Sequence, residues 1–261
     1  MIQKDFAERV IKIVRNDTNV LGLAVAGSWI TNEIDEFSDL DLVLVTSEAV
    51  SPDKEKMLAY AKTFGKLLTG FTGEHVGESR LLICLYDDPL LHVDIKFLTL
   101  PEIGKRVEDF VILFERNTEL SDIFNTTNAI WPYPDYQWIE DRFWIWVHYV
   151  TLKMGRGEWL EALDFLSFLR TVVLSPLLQV KNGLQPRGLR KVERTLSQSD
   201  MDMLVSTIAV YEPSSIFTSL TNAIELYRSL RKELFPTEIN LQKKTEEKSM
   251  QHLARVRQEK I

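Results

Sequence analysis

The chain has 261 residues, 45% of them hydrophobic, which is enough apolar material for one or two self-supporting domains. Its 31 basic and 38 acidic residues give a formal net charge of −7. Because attraction to a phosphate backbone needs a basic surface, this balance argues against a large nucleic-acid partner, although a local basic groove is compatible with it.

Cysteine and histidine usage narrows the class further. Cys84 is the single cysteine, so an internal disulfide is excluded and nothing indicates an oxidising compartment. The four histidines lack HxxxH or CxxC companions, which argues against a structural zinc site. The N-terminus has no apolar signal segment, and no stretch reaches about 18 uncharged apolar residues. The sequence therefore predicts a cytoplasmic protein that neither spans nor binds a membrane.

The first 125 residues mix helix-like and strand-like segments. Residues 3–16 and 52–68 have the apolar spacing of amphipathic helices, and Ser51 or Asp53 is the N-cap of the second. Glycines between residues 70 and 77 predict a loop. Short apolar runs predict five strands, at residues 20–26, 40–45, 81–86, 91–97 and 111–114.

The pattern becomes helical after residue 125. Two prolines in Trp131-Pro-Tyr-Pro134 mark a junction, because proline stops regular structure. Helices are predicted at residues 136–154, 158–180, 188–207 and 214–234, and Pro176 should kink or split the second of them. The fold class is therefore α+β, with a catalytic domain of residues 1–125, a helical domain of residues 126–239, and a charged helix or frayed tail at residues 240–261.

The most informative stretch begins where the first strand ends, at Gly27-Ser28. Glycine lets the backbone approach a ligand closely, and a helix starting here would direct free N–H groups at an anion. Ten residues separate Ser28 from Asp39, and Asp39 and Asp41 project from the same face of a strand. Two such carboxylates repel each other unless a cation lies between them, and Mg²⁺ takes oxygen ligands of this kind.

The charges around these aspartates favour a cation site. No basic residue lies between Arg15 and Lys54, whereas the same interval contains eight acidic residues. A third carboxylate, Asp94, shares one face of a predicted strand with His92 and Lys96. If that strand lies beside the one carrying Asp39 and Asp41, Asp94 completes a three-carboxylate site that shares a metal or accepts a proton from an attacking hydroxyl.

These residues form one motif, which runs from a hydrophobic residue through Gly27-Ser28, ten further residues and Asp39-Leu-Asp41 to a later aspartate on a strand. The motif resembles that of the nucleotidyltransferase superfamily. That group includes antibiotic adenylyltransferases, CCA-adding enzymes and DNA polymerase beta. The resemblance implies a small mixed sheet flanked by helices and a two-metal transfer of a nucleoside monophosphate. It assigns Asp39 and Asp41 to both Mg²⁺ ions and Asp94 to the ion that activates the acceptor hydroxyl. It also assigns Gly27 and Ser28, together with Ser38 next to Asp39, to binding of the nucleotide, which is ATP or another nucleoside triphosphate.

The second half more loosely resembles the helical domain of bacterial aminoglycoside adenylyltransferases, through Phe143-Trp-Ile-Trp, Lys153-Met-Gly-Arg-Gly-Glu158 and Ala162-Leu-Asp-Phe-Leu. This resemblance implies that Lys153 reaches the nucleotide phosphates, while a solvated lysine at a helix C-terminus is an equally good interpretation. Tyr149 occupies the position at which a helical-domain carboxylate sometimes acts as the base, which favours Asp94 in that role. Clustered aromatic residues between Trp131 and Trp159 fit either a ring-binding pocket or core packing.

The sequence thus predicts a metal-dependent enzyme that moves AMP from ATP to a hydroxyl of a small molecule and releases pyrophosphate. An aminoglycoside-like antibiotic is the first expectation for the acceptor, by analogy with the family. Two alternatives stay open. One is nucleotidyl transfer onto a protein or a nucleic acid, and the other is a catalytically inactive nucleotide- or protein-binding module.

Overall fold

The computed structural model describes all 261 residues, and they divide into two compact units, Met1–Trp131 and Pro132–Ile261. The first unit contains a six-stranded sheet and helices, and the second contains helices without strands. The α+β class predicted from the sequence is therefore confirmed.

The sheet of the first unit is mixed, as predicted. Its strands are β1 (Val20–Val25), β2 (Leu40–Thr46), β3 (Lys66–Gly73), β4 (Glu78–Asp87), β5 (Leu91–Leu98) and β6 (Val111–Glu115). They lie in the order β3-β4-β5-β2-β1-β6. Strands β2 and β5 pair in parallel, and every other neighbouring pair is antiparallel.

Helices cover both faces of this sheet. They are α1 (Ile2–Val14), α2 (Lys54–Phe64), α3 (Leu100–Ile103) and α4 (Glu119–Thr126). The side chain of Asp53 accepts hydrogen bonds from the first turn of α2, so Asp53 rather than Ser51 is its N-cap. Leu42 and Leu44 of β2 pack into the core under α1 and α2, whereas Val43 and Val45 join the smaller core of α3 and α4. Odd-numbered residues of β2, including Asp41, therefore project toward the second face.

Strand β3 was not predicted, because its sequence was interpreted as the end of a helix followed by a loop. Helix α2 ends at Phe64, not at residue 68, and the chain returns immediately as an edge strand paired only with β4. Three of its residues, Thr69, Gly70 and Thr72, interrupt the apolar alternation that marks a strand. Gly70 is packed against α2 and does not lie in a loop, because a Cβ there would come within 3.0 Å of Leu58. The predicted loop is confined to the turn at Glu74–Val76.

The second unit consists of seven α-helices. They are α5 (Tyr136–Arg156), α6 (Trp159–Leu169), α7 (Ser175–Lys181), α8 (Val192–Thr195), α9 (Gln198–Val205), α10 (Pro213–Leu234) and α11 (Lys243–Lys260). Its core centres on stacked rings, with the Phe143 and Tyr227 centroids 3.6 Å apart and the Trp144 ring against both. Helix α11 belongs to this core through Leu253 and Val256, so residues 243–260 form the charged helix and not the frayed tail.

Pro176 shapes the middle of the helical unit. A five-residue π-helical turn, Arg170–Leu174, joins α6 to α7 immediately before the proline. Proline lacks an N–H and crowds the preceding turn, and a widened turn accommodates both effects without ending the helical run. The run Trp159–Lys181 is long and apolar enough to cross a membrane by length and composition, with a mean hydropathy of 1.4. However, 50% of that window is buried inside the protein, as in a core helix.

The helix predicted at residues 188–207 is two short helices. Lys191 has a positive φ of 58° before α8, and Leu196 is extended after it. The Ser197 side chain then caps α9 by accepting from the Asp200 amide. The positive φ of Lys191 and the Ser197 cap therefore interrupt the single helix that apolar spacing predicted.

Candidate active site

Asp41 and Asp94 lie opposite each other on the parallel strands β2 and β5. Their Cα atoms are direct register partners, with Asp41 second in β2 and Asp94 fourth in β5. Val93, Ile95 and Phe97 are fully buried in the first core, so Asp94 projects to the opposite face, as the alternation predicted. The sheet thus brings together two of the three predicted carboxylates by strand pairing alone.

The predicted phosphate-binding turn lies directly beside Asp41. Gly27 begins a short 3₁₀ turn, Gly27–Trp29, with a positive φ of 64°, and the Ala26 amide donates to the Asp41 carbonyl at 2.9 Å. A Cβ at position 27 would collide with Oδ2 of Asp41. Glycine is therefore required both for its conformation and for the close approach of that carboxylate. The first amides of a helical turn have no intrahelical acceptor, so this turn offers donors to an anion.

A loop tied to α1 leads to Asp39. Gln3 is buried, and its Nε2 donates to the Ser38 carbonyl at 2.7 Å and to the Asp35 carbonyl at 3.0 Å. The Ser38 hydroxyl donates to the Asp35 carboxylate at 2.9 Å and accepts from the Asp35 amide. Ser38 thus closes the loop locally, and Gln3 fixes where Asp39 enters β2. Sequence reasoning missed Gln3, whose signal is a polar residue on the apolar face of α1.

Burial and neighbouring charges act on Asp94. Burial raises its pKa above the ordinary value, a contact with His92 opposes that rise, and the negative charge of Asp39 adds to it. The His92 Nε2 lies 2.9 Å from Asp94 Oδ1. Asp39 and Asp94 are therefore close enough to interact electrostatically. Asp39 is in this way connected to the pair formed by Asp41 and Asp94.

A cavity of about 320 Å³ opens beside Asp41 and Asp94 on the same face of the sheet. On its wall, Glu78 accepts two hydrogen bonds from the Arg80 guanidinium, both 2.7 Å, and pairs with Lys96 at 2.8 Å. The Arg80 guanidinium holds the pKa of Glu78 down to about 2, against the opposing effect of burial, with further help from Lys96. Sequence reasoning noted Lys96 on this face but missed Glu78 and Arg80, because the β4–β5 pairing is what brings them beside Lys96.

The carboxylates here are of the type that a divalent cation needs. Hard cations take carboxylate oxygens, and three aspartates lie on or just before the adjacent strands β2 and β5. The desolvated Asp94 beside a second negative charge is an arrangement that a cation relieves. As the side chains stand, no three His, Cys, Asp or Glu residues converge closely enough to enclose an ion. The residue types fit a cation, and their convergence is incomplete.

Lys153, the remaining predicted nucleotide ligand, belongs to the helical unit. Its ammonium group pairs with Glu161 at 2.8 Å and with Glu158 at 3.0 Å, and these contacts raise the pKa of Lys153. The Tyr149 hydroxyl donates to the same Glu161 carboxylate at 2.7 Å. A partly exposed row of rings runs along α5 and α6, in which Trp146 lies 5.5 Å from Trp138. Within the aromatic cluster, Trp144 is therefore buried in the core, whereas rings such as Trp138 are exposed at the surface.

Comparison with known proteins identifies a family that the chain matches. The sequence profile of the streptomycin adenylyltransferase family matches residues 2–256. No curated protein shows significant similarity to the chain. Similar solved structures include an aminoglycoside 6-adenyltransferase from Bacillus subtilis, 17% identical over 98% of each chain with a TM-score of 0.40. A spectinomycin adenyltransferase AAD(9) from Enterococcus faecialis, with ATP and spectinomycin, is 12% identical over 97% of this chain and 99% of that one, with a TM-score of 0.31.

The matched profile defines the class first: the chain is an enzyme of the nucleotidyltransferase class. Because the profile extends over nearly the whole sequence, the chain belongs to the streptomycin adenylyltransferase family. The family implies ATP as co-substrate. The resemblance found from the Gly-Ser turn and the three aspartates is thereby confirmed.

Proposed function

We propose that the chain transfers AMP from ATP to a hydroxyl of a small antibiotic in a Mg²⁺-dependent reaction. The hydroxyl oxygen forms a bond to the α-phosphorus, the bond to the bridging oxygen breaks, and pyrophosphate leaves with that electron pair. The observation that carries the proposal is the register pairing of Asp41 with Asp94 beside the Gly27 turn. That arrangement gives a triphosphate and an attacking hydroxyl adjacent places on one face of the sheet.

The three carboxylates divide into two roles in this proposal. Asp39 and Asp41 would hold Mg²⁺, and Asp94 orients the acceptor hydroxyl and receives its proton. Bound Mg²⁺, in one or two ions, supplies charge neutralisation and a more acidic hydroxyl. The amides and hydroxyl at Gly27-Ser28 bind the outer phosphates, and Ser38 keeps the loop before Asp39 in place.

A small acceptor suits the cavity beside Asp94. Its volume of about 320 Å³ is at the lower end of the range that small-molecule sites occupy. Streptomycin, from the family description, and spectinomycin, from one similar structure, are the first acceptors to test. We assign acceptor selection to the helical unit, where exposed rings such as Trp138 offer a surface for packing against sugar rings. The reaction is assigned to the cytoplasm.

Calorimetric titration of ATP in the presence of Mg²⁺ tests the nucleotide site. Wild-type protein should bind ATP only with Mg²⁺, and the Asp39→Asn, Asp41→Asn double variant should not bind it. Asp5→Asn, a surface aspartate of the same unit, is the matched control and should bind as wild type. Absence of binding to folded wild-type protein would favour the inactive-module alternative.

Pyrophosphate release with streptomycin or spectinomycin, followed by product mass, then tests transfer. A mass gain of one AMP on either compound supports the proposal. Modification of a protein or an RNA in the same assay, with neither antibiotic modified, would overturn the small-acceptor assignment.

A nucleotide role for Lys153 is tested separately with Lys153→Met. If Lys153 reaches a phosphate, the KM for ATP rises about tenfold or more, as for loss of a charge-assisted hydrogen bond. If it only pairs with Glu158 and Glu161, the free energy of unfolding changes while the KM does not.

A further inference from the structure

A second polar cavity lies within the helical unit, between α5 and α11. Its volume is about 360 Å³. It is lined by one apolar residue and five polar ones, namely Ile145, His148, Thr245, Lys248, Ser249 and His252. None of these side chains takes part in the carboxylate site of the first unit, and the proposed reaction gives them no role.

The protonation pattern of His252 is fixed by Arg255. A guanidinium nitrogen of Arg255 lies 3.1 Å from His252 Nδ1, and a guanidinium only donates. Nδ1 therefore accepts, and in the neutral ring the proton is on Nε2. That Nε2 atom is buried and has no hydrogen-bond partner. A buried donor without an acceptor is destabilising, so His252 presents an N–H group that an acceptor would stabilise.

The surrounding charges decide which kind of ligand fits. The His148 ring centre is 4.9 Å from that of His252, and Lys248 adds a cationic group to the rim. Burial lowers the pKa of His252, and the positive charges of His148 and Arg255 lower it further, against a smaller opposing effect of Glu259. No carboxylate lines the cavity. The cavity therefore disfavours a cation and favours an anion.

The number of donors and the helices that carry them indicate the shape of the anion. His252 and Thr245 come from α11 and His148 comes from α5, so donors approach from two helices. The Ser249 hydroxyl already donates to the Trp144 carbonyl at 2.9 Å and is not needed. Lys248 is 64% exposed and bonds only to surface neighbours, so its side chain can swing inward. A tetrahedral phosphate group has enough acceptor oxygens to meet all of these donors at once.

We propose that the cavity between α5 and α11 is a binding site for a phosphate group, held by His252 Nε2–H, His148, Thr245 and Lys248. The ligand would bridge two helices and thereby fasten α11 to α5. Because the cavity is open to solvent, it accepts either inorganic phosphate or the phosphate of a small phosphomonoester.

Calorimetry and thermal melting of the whole chain test this site, with inorganic phosphate and glycerol 3-phosphate as probes. EDTA is present throughout, so that the carboxylate site has no metal through which to hold phosphate. Phosphate should bind wild-type protein and raise its Tm, because it binds only the folded state. His252→Ala and, separately, His148→Ala should weaken binding about tenfold or more. His75→Ala, an exposed histidine of the first unit, should bind phosphate as wild type does.

The outcomes separate the alternatives. Stronger binding of glycerol 3-phosphate than of inorganic phosphate identifies a phosphomonoester as the source, and the reverse identifies the free ion. Absence of phosphate binding by wild-type protein would overturn the proposed site. Binding by the His148→Ala variant as strong as that of wild type would also overturn it. His148 is exposed, so its replacement should not disturb the fold. In a separate melt without EDTA, a Tm rise with Zn²⁺ that needs both histidines, without one for phosphate, would overturn it in favour of a metal site. None of these results depends on nucleotidyl transfer.

Discussion

Asp94 lies directly opposite Asp41 across the one parallel strand pair of the sheet. The two strands run in the same direction, and at this register both side chains lie on one face of the sheet and line one cavity.

Replacement of Asp94 by asparagine should stop transfer and keep the fold. Asp94→Asn retains the shape of the side chain but removes its charge and its capacity to accept a proton. We expect kcat/KM to fall about a thousandfold or more, since metal and acid–base contributions are each worth several kcal/mol. Pyrophosphate release and urea unfolding measure the two effects. Wild-type turnover by the folded variant would show that the reaction uses another group.

Gly27→Ala should damage the site through steric conflict rather than through conformation alone. The new Cβ would meet Asp41 Oδ2, so either the turn or the carboxylate must move. Gly77→Ala is a matched control, because Gly77 also has a positive φ, of 76°, but has nothing within 4 Å of a new Cβ. Both variants should lose about 1 kcal/mol or somewhat more of unfolding free energy from backbone strain. Only Gly27→Ala should also lose activity, and equal activity of the two variants would contradict the assigned approach.

Glu78→Gln should lower stability in a pH-dependent way. The folded pKa of Glu78 is about 2, below its ordinary value of 4.5, so its contribution is fully present above 4.5 and is lost as the pH falls toward 2. At pH 7 the variant should be less stable by about 1–3 kcal/mol, because Arg80 and Lys96 lose a charged acceptor. Denaturant unfolding of both proteins between pH 7 and pH 3 measures this. A difference that stays constant below pH 4 would contradict the pKa assignment.

Glu140→Ala should strongly destabilise the helical unit. Glu140 is fully buried, and its carboxylate accepts from the Tyr227 hydroxyl at 2.5 Å, Arg231 at 3.1 Å and the Gln242 amide at 2.9 Å. Removal leaves the Tyr227 hydroxyl without its acceptor and Arg231 with Glu246 alone, and breaking a buried pair costs about 3–5 kcal/mol in comparable cases. Glu247→Ala, at a position 60% exposed, should cost less than about 1 kcal/mol. Urea unfolding distinguishes them, and similar values for the two variants would be inconsistent with the network.

The sequence predicted best where one local pattern determined the result. Alternation placed Val93 and Ile95 in the core and Asp94 on the other face, and the strands at residues 40–45 and 91–97 were found within one or two residues. It failed at β3, where Gly70 and threonines obscure an edge strand that exists because β4 offers it a partner. Such pairing is a long-range property that a single segment does not encode.

The candidate site shows the same division. Asp39, Asp41 and Asp94 are found from spacing and charge, since carboxylates at strand starts are unusual enough to notice. Gln3 acts on Ser38, and Glu78 pairs with Lys96 as well as with its neighbour Arg80. The contacts with Ser38 and Lys96 are distant in sequence, so only the folded chain identifies them. In the helical unit, α11 was ambiguous because its apolar stripe is narrow, and its packing against α5 decides its structure.

The contact between Gly27 and Asp41 also constrains how this protein can vary. The two positions are fourteen residues apart, yet a larger residue at 27 fits only if the side chain at 41 shrinks or turns away. Random mutagenesis that changes one position at a time will therefore find few tolerated replacements at position 27. Libraries that randomise both positions together should recover folded variants, whereas recovery of catalysis requires the original pair.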